Sequence, residues 1–143
     1  MHIAFALFAD AANLSQEGKL NILGVFDTLH VQQLPALHPR AALVVRVKGS
    51  VADAGTHVIG MAWVNPAGQE LWSSQGELAV GAPPPGTTEL DFPLIAGLDL
   101  PLDQPGTYRM RITINGEPGT EVPLIVRGTA AAPAPGSRPQ LVS

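Results

Sequence analysis

Tyr108, Met110, Ile112 and Ile114 recur at every second position, with Arg109, Arg111 and Thr113 between them. That is the pattern of a strand with one buried and one wetted face. Asn115 and Gly116 follow, two residues that tolerate positive φ and so suit a tight turn between antiparallel strands. Beyond the turn, Val122, Leu124 and Val126 fall on one side of a return strand. A chain carrying this stretch is expected to form an antiparallel hairpin over residues 105–127. That hairpin points to a β fold, because its apolar face needs a second layer to cover it.

Read in order, the rest of the chain supplies more short strands separated by turn signals. Residues 3–9 form an apolar run, and 20–31 read as one long strand with a bulge or bend at Gly24. Pro35 and Pro39 mark a short loop carrying His38. In 40–48, Leu43, Val45 and Val47 alternate with Val44, Arg46 and Lys48. The segment 57–65 places Ile59, Met61 and Trp63 at a spacing of two, and Asn65-Pro66-Ala67-Gly68 is a turn signal. Residues 70–80 read as a strand interrupted near Gly76, Pro83-Pro84-Pro85 as a stiff connection, and 89–95 as a strand with Leu90, Phe92 and Leu94 facing inward.

About eight strands and no amphipathic helix predict an all-β fold, an antiparallel two-sheet β-sandwich of immunoglobulin-like or C2-like type. The sandwich domain is expected over 1–127. Residues 128–143, rich in Ala and Pro, are expected to be a disordered tail. The approach from Leu102 to Tyr108 matches the corner at which such sandwiches let a Tyr hydroxyl bond to the chain just upstream; a plain aromatic core residue is the other reading.

Composition bounds the function. A chain of 143 residues suits one domain able to bury a core without metal or disulfide. It has no cysteine, hence no disulfide framework, thiolate nucleophile or sulfur-built zinc site. Charged residues make up 14%, against roughly 25% in an average soluble domain. Two accounts fit: a buried self-association face, or simple dilution by Ala, Gly and Pro. The net charge of −4 opposes binding to nucleic acid or anionic lipid. No Lys or Arg precedes the apolar run 3–9, which is too short to span a bilayer. It reads as a first strand buried on both faces, in a cytoplasmic protein with no membrane partner.

The run Phe5-Ala6-Leu7-Phe8-Ala9-Asp10, the strand Gly18-Lys19-Leu20-Asn21-Ile22-Leu23-Gly24-Val25-Phe26-Asp27 and the loop Pro35-Ala36-Leu37-His38-Pro39 carry a family likeness. Together with the following strand and the Gly106-Thr107-Tyr108 hairpin, they resemble a family of small bacterial β-sandwich proteins, a domain of unknown function. The likeness spans most of 3–127 and implies the fold and a bacterial or phage origin. It brings no activity and no catalytic residues. The Ala/Pro tail matches no motif.

Signatures of chemistry are sparse. The sequence has no Gly-x-Ser-x-Gly elbow, no Gly-x-Gly-x-x-Gly and no Walker-type Gly-Lys-Ser/Thr. His2, His30, His38 and His57 stand far apart, and no cofactor is expected. A calcium site gathered from Asp10, Asp27, Asp99 and Asp103 is an alternative, although isolated Asp residues at strand ends commonly serve turns. A sugar-stacking platform from Trp63 and Trp72 is another, set against a cross-strand core pair. A small hydrolase would assemble a site from loop Asp and His residues. Arg46 and Lys48 share one strand face, and Arg109 and Arg111 share another. If the two strands lie in one sheet, the four form a positive interaction face; ion pairs to residues such as Glu89 and Asp91 are the plainer reading. The reading that fits best is a non-enzymatic binding or assembly module, with a homodimer or another protein as partner.

Overall fold

The computed structural model describes residues 1–128, so the expected tail lies outside the described residues apart from Gly128. Nine strands form two open sheets. They are β1 (His2–Leu14), β2 (Leu20–Phe26), β3 (Thr28–Val31), β4 (Ala36–Ser50), β5 (Gly55–Val64), β6 (Glu70–Val80), β7 (Glu89–Leu102), β8 (Gly106–Ile114) and β9 (Glu117–Gly128). One sheet has the order β2-β1-β4-β7 and the other β3-β9-β8-β5-β6. The expected all-β, two-layer architecture is present.

The hairpin forms as its alternation predicts. Asn115 (φ 52°) and Gly116 (φ 80°) turn the chain, and β8 and β9 pair antiparallel from Ile114↔Glu117 back to Gly106↔Val126. Tyr108, Met110 and Ile112 are buried, and Arg109 and Arg111 are exposed.

Four expectations need correction. The long second strand is two, because the chain leaves one sheet after Phe26 and enters the other at Thr28. Asp27 marks the crossing, and its carbonyl accepts from the Ile125 N–H at 2.8 Å. β3 then runs parallel to β9, so the sandwich is not wholly antiparallel. The Pro35 to Pro39 loop is instead mostly strand. β4 begins at Ala36 and absorbs Pro39 through a register shift between His38 and Ala41, where Arg40 takes φ 56°. A bulge of this kind lets a residue without an N–H sit inside a ladder. Finally, β6 pairs with β5 through Gly76 without interruption.

The core lies between the sheets. From one side it takes Phe8, Leu43, Val45 and Val47, and from the other Trp63, Tyr108, Met110, Ile112 and Leu124. Trp63 stacks on Tyr108, with centroids 5.2 Å apart and planes 17° from parallel, and meets Phe8 edge-on at 5.9 Å. Its indole N–H donates to the Pro101 carbonyl at 2.9 Å, so the buried ring leaves no polar atom unpaired. The Tyr108 hydroxyl accepts from the N–H groups of Asp103 (2.8 Å) and Gln104 (2.9 Å). Of the two readings of Tyr108 the structure has the corner, and it ties the β7–β8 connection to the core. Burial pushes the Tyr108 phenol up to about 12, aided by the neighbouring Asp103 carboxylate.

Candidate interaction faces

A two-layer sandwich has two outer faces, and strand register assigns every side chain to one of them or to the core. On the five-stranded sheet, the residues alternating with the core set are Arg109, Arg111 and Thr113 of β8, Glu121 of β9, Ala62 and Gly60 of β5, and Ser73 and Gln75 of β6. This face is polar. Between β6 and β8 the small residues Gly60 and Ala62 leave a shallow depression of 590 Å³, flanked by Ser73, Gln75, Arg111 and Thr113. Arg109 and Arg111 both reach Glu121, at 3.7 and 3.3 Å, with about half of each side chain in water. Pairs so exposed contribute little stability.

The four-stranded sheet is different. Phe8, Leu43 and Val47 face the core, so the residues between them face outward. In register these form the rows Phe5↔Arg46↔Pro93, Leu7↔Val44↔Ile95 and Val25↔Ala9↔Ala42↔Gly97, with Leu23 beside Ala11. None of these belongs to the core cluster. Ala9 and Val44 are wholly shielded by their neighbours, whereas Leu23 is 69% and Val25 60% exposed. The two sheets account for every strand among the described residues, so none of those residues forms a third layer over this plate. Its polar border includes Lys48 and the Arg46–Asp91 pair, in which Arg46 Nε donates to Asp91 Oδ1 at 2.9 Å and Nη2 to Oδ2. The guanidinium hydrogen bonds hold the Asp91 carboxyl below the usual carboxylate range.

The expected basic face therefore divides. Arg46 and Lys48 lie on β4 in one sheet, and Arg109 and Arg111 on β8 in the other, so the four do not form one patch. The apolar plate that takes its place was half visible in the sequence, as Phe5 and Leu7 set against Phe8. Its continuation onto β4 was hidden, because Ala41-Ala42-Leu43-Val44-Val45 is a continuous apolar run with no polar residue to mark a second face.

The residues considered for chemistry are held elsewhere. Asp103 accepts from the Tyr108 hydroxyl (2.7 Å) and from Asn65 Nδ2 (2.8 Å), and Asp99 accepts from the Arg40 N–H (3.0 Å). Asp10 lies over Gly24, where a Cβ would stand 2.3 Å from its Oδ2. Among the described residues, no group of three or more His, Asp or Glu side chains is placed to hold a metal ion. His57 is committed at both ring nitrogens: Nε2–H donates to the Asp53 carbonyl at 2.6 Å, and Nδ1 accepts from Asn115 Nδ2 at 2.9 Å. The sugar platform is overturned by burial. Trp63 is fully buried, and Trp72, its cross-strand partner, packs against the core.

A family model described as a family of unknown function (DUF6941) matches residues 4–127, nearly the whole described sandwich. The chain belongs to this family. No curated protein matches it. The DUF6941 match begins in β1 and ends in β9, so the apolar plate and the opposite outer face both fall within it. No helix is long and apolar enough to cross a membrane among the described residues.

Proposed function

We propose that this DUF6941 chain is a non-enzymatic assembly module that pairs with a second copy of itself through the outer face of the four-stranded sheet. The observation that carries this reading is the row Leu7↔Val44↔Ile95 with Leu23 and Val25 beside it: apolar side chains aligned across four strands, outside the core and under no further layer of the described residues. With strands about 4.8 Å apart and about 3.3 Å per residue, the plate has a footprint on the order of 400 Å². That is the upper range of apolar patches on monomers. It matches the apolar centre of an interface of roughly 800 Å² per partner, with Arg46, Lys48, Asp91 and Asp99 as a polar rim. Two such sheets stack in the aligned manner usual for sandwiches.

The order β9-β8-β5-β6 together with the Tyr108 corner supports an immunoglobulin-like type for the sandwich. The lack of cysteine suits the cytoplasm, and the net negative charge disfavours nucleic acid as a partner.

Light scattering behind size exclusion tests the reading. The native chain should elute as a species of twice 14.9 kDa at micromolar concentration. Leu23→Lys with Val25→Lys, at positions that the single chain leaves exposed, should return it to one chain's mass without loss of fold. A single-chain mass for the native protein would end the proposal.

A further inference from the structure

The sandwich is open along one side. β6 and β7 are the terminal strands of their sheets, and between them the two layers part to leave an apolar cleft of 220 Å³. Leu43, Val45 and Leu94 form one wall, Ile59 and Met61 the other. The cleft stays open because the core-facing positions of β6 opposite Met61 and Ile59 are Ser74 and Gly76. A Cβ added at Gly76 would meet nothing within 4 Å.

We propose that this side binds an extended peptide, which adds to β6 as a sixth strand and places one apolar side chain in the cleft. Two further features define the peptide. The free edge of β7 is broken by Pro93 and Pro101, which have no N–H to offer, whereas β6 runs eleven residues without a proline. A long unprotected edge is a template for main-chain pairing, and a pocket beneath it selects alternate side chains. Charge supplies the rest. β6 and β7 contain no Lys or Arg, and Glu70, Glu77 and Glu89 have no ion-pair partner among the described residues. The peptide that fits is apolar at alternate positions and basic at its flanks. The cleft meets the apolar plate at Ile95 of β7, but the β6 edge belongs to the other sheet, so the proposal does not depend on self-association.

The test is titration of the isotope-labelled full chain with the synthetic peptide Lys-Thr-Leu-Thr-Leu-Thr-Lys, followed by NMR. Saturable shifts should appear at the Ile59 and Met61 methyls and at the β6 amides, whose hydrogen exchange should slow. Gly76→Leu should fill the cleft and weaken binding by about tenfold or more, and Glu77→Lys should weaken it through charge while leaving the core untouched. Failure of the peptide to bind overturns the proposal, as does equal binding to the Gly76→Leu chain. Equal binding of an analogue N-methylated at alternate amides would rule out strand addition. Octanoate bound as tightly as the peptide, with the same methyl shifts, would make the cleft a pocket for free alkyl chains instead.

Discussion

The two outer faces of this sandwich are built from the same kind of ladder and differ in what the alternate positions carry. On β8 of the five-stranded sheet those positions hold Arg109, Arg111 and Thr113; on β1 and β4 of the four-stranded sheet they hold Phe5, Leu7, Ala9, Ala42 and Val44. A face meant for water is cheaply made from charge and hydroxyl. A face of Leu, Val and Phe is stable in water only at a hydrophobic cost of about 25 cal/mol per Å² of apolar area. The difference between the faces is therefore the main clue to what the protein does.

The comparison is sharpened most by neighbours on one strand. Ile112→Ala removes buried methylenes from the packed centre and should cost about 2–5 kcal/mol in urea unfolding. Arg111→Ala, one residue earlier on the polar face, should stay within about 0.5 kcal/mol. Equal costs would mean that β8 faces the other way.

Next in size is Val44→Ala, on the outer plate. Losing two shielded methyl groups should cost roughly 1–2 kcal/mol at about 0.8 kcal/mol each, while Ser73→Ala on the opposite outer face should be close to neutral. A neutral Val44→Ala would show the plate to be an ordinary wetted surface.

Tyr108, the single tyrosine of the chain, shows its effect only at high pH. Its folded-state pKa is raised to about 12 from an unfolded value of about 10. Since the neutral phenol is the form the fold favours, this contribution is complete below pH 10 and is lost as pH rises toward 12. Tyrosinate absorbance of the native chain should therefore develop about two pH units later than that of the urea-unfolded chain. Coincident titrations would contradict the burial of Tyr108 and its bonds to Asp103 and Gln104.

What the sequence made legible follows from where its patterns were clean. β8 alternates strictly and is followed by Asn115-Gly116, so its facing and the turn were readable; β9 alternates less cleanly, with Ile125 between Leu124 and Val126, and the Tyr108 corner was one of two readings of that residue. The passage from Phe26 to Thr28 was not readable, because a strand that changes sheets keeps its β propensity while exchanging partners, and only the Asp27 carbonyl bond to Ile125 reveals the switch. Pro39 misled for a related reason: it reads as a loop until the bulge at Arg40 accommodates it. The basic face failed because facing along a strand says nothing about which sheet the strand joins. Arg46 and Arg111 each alternate with core residues, yet only topology separates them.

Since the chain has no cysteine, single thiols introduced at Ala11→Cys and Gln75→Cys report on the two outer faces separately. Both positions are exposed in the single chain, so in isolated molecules both thiols should react freely with a maleimide. If a second copy covers the apolar plate, alkylation at residue 11 will slow several-fold as protein concentration rises, by mass action, while residue 75 keeps its rate. Equal and concentration-independent rates at the two sites would contradict the account.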